Sequence, residues 1–502
     1  MPKKTGKRLY LIGIDSAPVS IVSSLTKKYK LHGFEKVIEK GVLADLESTL
    51  PPITAAAWPS IYTGLEPGRH GVMNFFSLDK NYGKQLTFYD TERNPPFWDI
   101  LGDFGLRALI VTPAMVTEPS RSSNVDMITG FPLKPKFSSQ FIEDIAKKFK
   151  FEGEPEIEQD LKDGKITLAK ASSGYADSIR KRSEVSKYLI GNENYDLVFV
   201  CYTEADRIQH YSLNRNDWED YVAPLYKEID KFIQWLIGYA QKRKEGFAIM
   251  LVSDHGAQAI KKKILLNSWL INNRYASLSP NVNVGGPMVD MSLSKKETSS
   301  EGLKEHRYKE QIQTSSRKMV TRFICASVVE TDYEDFVNKR TFAMKNTKAF
   351  ASLSNNPVSN IWINDSRFNE PAVKEDERRR RLVEEIGMGL KDLKDGSCKP
   401  IARLHSGKDY YKDTELFIQP DMIVEAGAGY TIDVFNHSEE SIFAEPEPAR
   451  RGDHTRYGIF GLYSNCAKAD YKDISVLDIA PIIYDFYGID KKELTKGSRL
   501  KR

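Results

Sequence analysis

The chain has 502 residues, of which 40% are hydrophobic and 28% are charged, and its net charge is +4. This composition is that of an ordinary globular protein, and it excludes an intrinsically disordered chain. The charge surplus is too small to indicate a nucleic-acid polymer or a membrane surface as a partner, and no apolar run reaches the roughly 18 residues of a transmembrane helix.

The first half of the chain alternates strand and helix patterns. The predicted strands are Arg8–Ile14, Val42–Ser48, Arg107–Val111, Asp196–Tyr202 and Phe247–Val252. The predicted helices are Pro96–Gly105, Ser172–Asn192 and Asp217–Arg243. Such alternation is typical of βαβ units, which build a mostly parallel sheet with helices on both faces. The fold class is therefore α/β.

The pattern changes in the segment 275–346, which has few apolar runs and is rich in Ser, Lys and Glu. We interpret this segment as an insertion, a cap or lid, in a core whose first part is 1–274 and whose second part is 347–502. The predicted elements of the second part are Ser359–Asn364, Val373–Leu393, Pro400–Leu404, Asp421–Glu425, Tyr457–Tyr463 and the amphipathic Ile474–Tyr487. A length of 502 residues fits about three domains, or one large domain with insertions.

The cysteines and the N-terminus indicate a compartment. The four cysteines form no CxxC pair, which argues against a disulfide framework and against a zinc site built from cysteines. The apolar run after the basic N-terminus is short and lacks a cleavage signature, so no secretory signal is expected. We therefore predict a reducing, cytoplasmic location.

Three predicted strands run into an aspartate. Asp15 directly follows the first strand, Asp206 follows Thr203–Ala205 after a later strand, and Asp254 follows the strand that ends at 252. A single aspartate after a strand is usually a turn former or a helix N-cap. In an open parallel sheet, however, the carboxyl ends of the strands share one edge, and ligands bind there. Three carboxylates at that edge repel one another unless a cation or a proton intervenes, and together with the attached histidines they favour a metal site.

Three histidines extend this pattern. His210 lies four residues after Asp206, which places both side chains on the same face of a helix, one turn apart. His255 adjoins Asp254, and this pair could face two ions or give one ion two ligands. His454 precedes a strand and could reach the site from far along the chain, although a surface-loop position is an equally good interpretation. Mixed His and Asp ligands suit zinc, manganese or iron.

Thr54 is the candidate nucleophile. It follows two prolines and precedes an alanine-rich stretch that can begin a helix, so it would lie near a helix N-terminus, where anions bind favourably. A hydroxyl needs a base or a metal to become a good nucleophile at neutral pH. The alternative is that Thr54 is an ordinary N-cap.

In this order, the motifs resemble the type I phosphodiesterase/nucleotide pyrophosphatase family of the alkaline phosphatase superfamily. The matching segments are LIGIDSA (11–17), PPITAAAWPSIYTGLEPGRHGV (51–72), TEADRIQHY (203–211), VSDHGA (252–257) and GDHTRYGIF (452–460). Weaker matches extend the resemblance over nearly the whole chain except the insertion.

The resemblance implies an alkaline-phosphatase-like core with two divalent metal ions, zinc first and manganese or iron as alternatives. One ion would be held by Asp15, Thr54, Asp254 and His255. The other ion would be held by Asp206, His210 and His454. It further implies that Thr54 attacks phosphorus and forms a phospho-threonine intermediate, and that the backbone of Ala55 helps to bind the phosphoryl oxygens.

One position departs from the family pattern. Nucleotide pyrophosphatases of the animal type carry an Asn three residues after the nucleophile, whereas this chain has Ala57. Another group must then contact the phosphoryl oxygen, and the candidates are Arg207, Gln209 and the run 261–263 with Lys262 at its centre.

These residues predict a metal-dependent hydrolase of a small-molecule phosphodiester or pyrophosphate. The alternatives within the superfamily are a phosphomonoesterase, a phosphonate hydrolase, a sulfatase or a phosphomutase. A non-catalytic binding protein that has kept the fold is an alternative of another class. The sequence leaves the substrate and the oligomeric state open.

Overall fold

Strands and helices alternate along the first half of the chain, as the sequence predicts. The computed structural model describes residues 6–279, 342–353, 356–412, 414–434, 441–447, 450–467, 471 and 473–489. Its strands are β1 Lys7–Ile14, β2 Val42–Glu47, β3 Phe76–Leu78, β4 Lys84–Leu86, β5 Ala108–Val111, β6 Val125–Ile128, β7 Leu197–Tyr202, β8 Gly246–Val252, β9 Gly256–Ala259, β10 Lys262–Leu265, β11 Ala349–Ser352, β12 Val358–Ile363, β13 Ile401–Ser406, β14 Met422–Ala426, β15 Tyr430–Asp433, β16 Phe443–Ala444, β17 Gly452–Thr455, β18 Tyr457–Ser464 and β19 Ile474–Ser475.

The helices are α1 Val19–Tyr29, α2 His32–Lys40, α3 Thr54–Thr63, α4 Pro67–His70, α5 Phe97–Asp103, α6 Gln140–Lys148, α7 Glu158–Lys162, α8 Leu168–Asn192, α9 Glu204–Ser212, α10 Trp218–Lys242, α11 Leu266–Asn272, α12 Asp376–Asp392, α13 Gly407–Tyr411 and α14 Ile479–Phe486. Within the described part of the chain, no helix combines the length and the apolar character needed to cross a bilayer.

The described residues group into two compact units. The first unit is drawn from 1–73, 88–261 and 446–502, and the second from 74–87 and 262–445. Most of the predicted insertion, 280–341, lies outside the described residues. The predicted boundaries at 275 and 346 therefore remain a prediction.

The first unit contains a large, mostly parallel sheet. Its eight strands run in the order β19-β2-β18-β8-β1-β7-β5-β6. Strand β1 pairs in parallel with both β7 and β8, while β18 runs antiparallel between β2 and β8. Every residue of β7 and nearly all of β1 and β8 are buried, as expected for parallel strands covered by helices on both faces. Because these three strands are neighbours, their carboxyl ends meet at one edge.

The long helices cover one face of this sheet. Helix α10 buries the apolar series that the sequence spacing predicts, and its members Leu225, Ile229 and Phe232 join one core with residues of α8 and β7. On the first strand, Gly13 leaves room for Trp58, because a Cβ there would lie 2.6 Å from the indole ring. The missing side chain lets α3, which carries Trp58, pack closely against β1.

The second unit is built mainly from antiparallel strands. One sheet has the order β11-β12-β14-β13, another has the order β15-β10-β16, and β3 pairs with β4. Helix α12 begins in a run of charged residues, EDERRRR (375–381). The pairs of Arg380 and Arg381 with Glu377 are exposed and have helical spacing, so this run forms a charged face of the helix.

Candidate active site

The three aspartates that follow strands lie at one edge of the parallel sheet. Asp15 follows β1, Asp206 lies in the first turn of α9 after β7, and Asp254 lies just beyond β8. All three are buried, and each has one carboxylate oxygen without a hydrogen-bond donor: Asp15 Oδ1, Asp206 Oδ1 and Asp254 Oδ2. A buried carboxylate that lacks donors is costly, and a bound cation removes that cost. These orphaned oxygens therefore fit a metal site.

Local backbone geometry fixes the first carboxylate pair. Ser16 adopts a left-handed conformation with φ of 61°, which is uncommon for a residue other than glycine. In this conformation its N–H donates to Asp254 Oδ1 at 3.2 Å. Trp58 Nε1 donates to Asp15 Oδ2 at 3.1 Å. In each carboxylate, one oxygen accepts a hydrogen bond from the protein, and this bond fixes the orientation of the group. The other oxygen is the orphaned one, and it is available to a cation.

The three histidines are oriented through their Nδ1 atoms. His210 Nδ1 lies 2.8 Å from the carbonyl oxygen of Gly452, His454 Nδ1 lies 2.9 Å from that of Pro52, and His255 Nδ1 lies 3.2 Å from that of Gly256. A carbonyl oxygen only accepts, so these contacts place a ring proton on Nδ1 and turn Nε2, the nitrogen that can bind a metal ion, towards the site. Metal-binding histidines typically have this arrangement.

The Nε2 atoms converge on the aspartates in two groups. In the first group, His255 Nε2 lies 3.1 Å from Asp254 Oδ2 and 3.5 Å from Asp15 Oδ1. In the second group, the Nε2 atoms of His210 and His454 lie 3.4 and 3.3 Å from Asp206 Oδ1, and 3.2 Å from each other. His255 also lies within ligand distance of the second group, with Asp206 and His454. Both interpretations of the Asp254–His255 pair are therefore compatible with its position.

The pKa values of the site residues are shifted by burial and by one another's charges. Burial, together with the charges of Asp254 and Asp206, raises the pKa of Asp15 well above its usual range. Burial also raises the pKa of Asp206, but the neighbouring imidazoles of His210 and His454 outweigh burial and hold the pKa well below the usual range. Burial lowers the pKa of His255, but Asp254 outweighs burial and raises the pKa to about 10. The carboxylates thus require positive charge beside them.

A close backbone approach places His454 beside the other ligands. Strand β17 pairs antiparallel with β9, so that His454 lies opposite Ala257. On the other side, the N–H of Arg451 donates to the carbonyl oxygen of His210 at 3.0 Å. A Cβ on Gly452 would lie 2.2 Å from the carbonyl oxygen of Gln209, so only glycine permits this approach. This close approach explains why the GDH motif begins with glycine.

Thr54 is the first residue of α3, and it is not the N-cap. Ile53 is the N-cap residue, and it makes no side-chain cap. The N-cap interpretation of Thr54 is therefore wrong. Its Oγ1 lies 3.5 Å from both Asp15 Oδ2 and His255 Nε2. The Ala55 N–H, in the same first turn, has no hydrogen-bond partner among the described residues. A hydroxyl and an N–H donor thus lie at the N-terminus of a helix, beside the first group of ligands.

The sequence analysis gave no role to Asp453. Its carboxylate lies within ligand distance of His210 and His454, and it is buried. Adjacent side chains of a strand point to opposite faces, so the position of His454 gave no reason to expect Asp453 near the same group. The only signal in the sequence was its place inside the GDH motif.

The predicted substrate-binding side chains already have partners inside the protein. Arg207 is buried and forms ion pairs with Glu154 at 3.3 Å and Glu158 at 3.7 Å. Gln209 Nε2 donates to the carbonyl oxygens of Ser16 and Ala205, so both of its N–H groups are used. Gln209 therefore offers no donor to a phosphoryl oxygen in this conformation.

Lys262 belongs to the second unit, where its Nζ pairs with Asp395 at 2.7 Å. Its neighbour Lys263 pairs with the buried Asp433 at 2.9 Å. Substrate binding by Lys262 or Arg207 remains a prediction.

Comparison with known families agrees with the geometry of the site. The family model described as type I phosphodiesterase / nucleotide pyrophosphatase matches residues 9–365. The chain belongs to this family. Family membership makes it a hydrolase of phosphoric ester bonds, in a metal-dependent family, and the orphaned carboxylates and the histidines fit divalent cations. A search of curated proteins found no match.

Two solved structures share the fold of this chain. Phosphonoacetate hydrolase from Sinorhizobium meliloti 1021, in complex with phosphonoformate, has a TM-score of 0.59 and 12% sequence identity, with 97% of each chain covered. Its complex with phosphonoacetate has a TM-score of 0.58, with the same identity and coverage. Murine ectonucleotide pyrophosphatase / phosphodiesterase 5 with AMP has a TM-score of 0.47 and 13% identity, with 96% of each chain covered. The two phosphonoacetate hydrolase structures, with TM-scores above 0.5, show that the architecture is alkaline-phosphatase-like.

Proposed function

We propose that this protein hydrolyses a small-molecule phosphodiester or pyrophosphate, with Thr54 as the nucleophile and two divalent metal ions as cofactors. The observation that carries the proposal is the convergence of orphaned carboxylate oxygens and Nε2 lone pairs beside the Thr54 hydroxyl. Neither a structural core nor a simple binding cleft requires this combination of buried charge and a helix N-terminus.

The first ion would be held by Asp15, Thr54, Asp254 and His255, and the second ion by Asp206, His210 and His454. Zinc is the ion we propose first, because the ligand set mixes imidazole with carboxylate, and manganese and iron accept the same ligands. When bound, the ions supply the positive charge that lowers the pKa of a hydroxyl and offsets the charge of a phosphoryl group.

The residues of this chain provide the remaining chemistry. Thr54 Oγ1 forms a bond to phosphorus while the bond from phosphorus to the leaving oxygen breaks. Water then cleaves the phospho-threonine, which releases the phosphoryl product and restores the threonine hydroxyl. The free N–H of Ala55, at the positive end of α3, donates to a phosphoryl oxygen and stabilises its charge in the transition state.

Several related reactions could use the same arrangement of metal ligands and nucleophile. Phosphonate hydrolysis is the second candidate, because a phosphonoacetate hydrolase shares this fold over 97% of the chain. Phosphomonoester, sulfate-ester and phosphomutase chemistry remain alternatives, and a non-catalytic binding role is a further one. For Arg207 and Lys262 we retain substrate contact as a prediction. The cytoplasmic location also remains a proposal, and the unpaired Cys201, Cys398 and Cys466 are consistent with it.

The direct test uses Thr54→Ala and Asp254→Ala on a chromogenic aryl phosphodiester, with zinc or manganese added. Thr63→Ala is a matched control, because it removes a hydroxyl from the other end of α3, which donates to the carbonyl oxygen of Pro59 and accepts from the N–H of Leu65. We expect both site variants to lose activity by about 1000-fold or more, while the control keeps it.

Wild-type turnover in both site variants would refute the proposal. A panel of diester, monoester, phosphonate and sulfate-ester substrates then separates the alternatives by their ratios of kcat/KM. A purified protein that binds no divalent metal after loading would instead favour the non-catalytic role.

A further inference from the structure

Arg450 lies against the second group of ligands, and among the described residues its guanidinium contacts only the ring of His210 as a hydrogen-bond acceptor. Its Nη2 is 3.4 Å from both ring nitrogens of His210. Its Nη1 is buried and has no hydrogen-bond partner among the described residues. The negative charges of Asp453, Glu158 and Asp206 are close enough to raise the pKa of Arg450. None of these carboxylates accepts a hydrogen bond from it. A guanidinium with a buried nitrogen in this state favours an anionic oxygen that accepts from it.

Two other arginines that stand next to the ligands in the sequence already form ion pairs. Arg207 pairs with Glu154 and Glu158, and Arg456 pairs with Glu47. The cation of Arg450, by contrast, contacts an imidazole nitrogen whose lone pair faces the ligand group. A metal ion bound to His210 Nε2 would use the lone pair that Arg450 now contacts. The Arg450 guanidinium would then need a different hydrogen-bond acceptor.

The contacts of the site form a series from Thr54 to Arg450. Thr54 Oγ1 contacts His255, the rings of His255 and His454 stack with centroids 3.9 Å apart, and His454 Nε2 lies 3.2 Å from His210 Nε2. Arg450 follows His210 as the last member. In an in-line displacement the attacking and leaving oxygens lie on opposite sides of phosphorus. Thr54 is at one end of the series and Arg450 is at the other, which is the relation expected between the nucleophile and a residue that contacts the leaving group.

We propose that Arg450 binds an anionic oxygen of the leaving group, so that the preferred substrates carry a carboxylate or a second phosphate next to the scissile bond. This proposal rests on the proposed function. Arginine suits the role because its planar guanidinium pairs with carboxylate and phosphate oxygens alike. Arg450 is then a specificity-determining residue rather than a part of the metal cradle.

The test compares two aryl methyl phosphodiesters, one with a meta-carboxylate and one with a neutral meta-carboxamide on the leaving phenol. The proteins are the wild type, Arg450→Met and the control Arg451→Met, all loaded with zinc. Arg451 is adjacent, and its guanidinium makes no hydrogen bond or ion pair with the described residues. We expect the wild type and the control to prefer the carboxylate ester by about 10- to 100-fold in kcat/KM. Arg450→Met should lose this preference and retain its activity on the carboxamide.

A third ester, with a phosphate on the phenol, separates the two sources of anion, because only the source that the site accepts will show the Arg450-dependent preference. Loss of zinc from the Arg450→Met protein would overturn the proposal, since Arg450 would then position His210. An equal loss on the charged and neutral esters would also overturn it, since the contact would then be to the transferred phosphoryl group.

A binding measurement remains decisive if the wild type hydrolyses neither ester, a result that would count against the proposed function itself. Calorimetry on zinc-loaded Thr54→Ala protein, with and without Arg450→Met, measures the Kd of each ester. Tighter binding of the carboxylate ester that depends on Arg450 supports the anion contact. Equal Kd values for the charged and neutral esters overturn it.

Discussion

Gly452→Ala tests how the backbone assembles the second ligand group. The alanine Cβ would lie 2.2 Å from the carbonyl oxygen of Gln209, 2.9 Å from its carbonyl carbon and 3.1 Å from the Cα of His210. These are backbone atoms of α9, so no side-chain rotation relieves the contact. Helix α9 and strand β17 must therefore separate by about 1 Å to reach an ordinary contact.

That separation acts on the ligands at both ends of the contact. It weakens the hydrogen bond from His210 Nδ1 to the Gly452 carbonyl oxygen, which is 2.8 Å long, and it moves His454 away from His210. Loss of such a supporting hydrogen bond weakens metal binding by about 10- to 100-fold, and a displacement of about 1 Å lowers turnover by about 100-fold. We expect both effects in a folded protein.

The assay combines a zinc titration by calorimetry with steady-state hydrolysis of an aryl phosphodiester. Gly191→Ala is the control, because Gly191 lies in α8 with nothing within 4 Å of its added Cβ. That variant should be as stable as the wild type or more stable by about 0.5–1 kcal/mol. Wild-type zinc affinity and turnover in Gly452→Ala would refute the reasoning.

Three further predictions concern charge, protons and metal. Arg182 and Glu204 form a buried ion pair with two contacts of 2.8 Å, so Arg182→Met should lower the free energy of unfolding, measured in urea, by about 3–5 kcal/mol. The control Arg180→Met, on the exposed face of the same helix, should change it by less than about 0.5 kcal/mol. Equal effects of the two substitutions would contradict this prediction. Burial lowers the pKa of His70 from 6.5 to about 3, so the unfolded chain binds this proton first and stability falls as the pH drops from 6.5. His70→Gln should reduce that slope by up to about 1.4 kcal/mol per pH unit, and an unchanged slope between pH 6 and 4 would refute the assignment. Chelation of bound metal should lower Tm, and added zinc should restore it, because a metal at 100 times its Kd adds about 2.7 kcal/mol to the free energy of unfolding. An unchanged Tm would count against a metal ion bound in the folded state.

The sequence predicts the core of the sheet well because its signals are local. The apolar runs that become β1, β7 and β8 are recognisable without any partner, and their parallel pairing follows from the helices between them. The same reasoning places Asp15, Asp206 and Asp254 at one edge, where the structure has them. The spacing of Asp206 and His210 likewise gives their common helix face.

The remaining features depend on contacts between distant segments, which periodicity does not encode. The pairing of β9 with β17 joins segments about 200 residues apart, and it brings His454 to His255. The partners of Arg207 and Gln209 come from other elements, so the prediction that these side chains face a substrate had no means of including them. The second unit combines 74–87 with 262–445, and no composition change in the sequence marks the first of these segments.

Anomalous diffraction from zinc-loaded crystals is the most direct test of the central claim. The account predicts one peak among Asp15, Asp254 and His255, next to Thr54, and a second peak among Asp206, His210 and His454. Crystals of fully active protein that show no anomalous peak at either group of residues would contradict it.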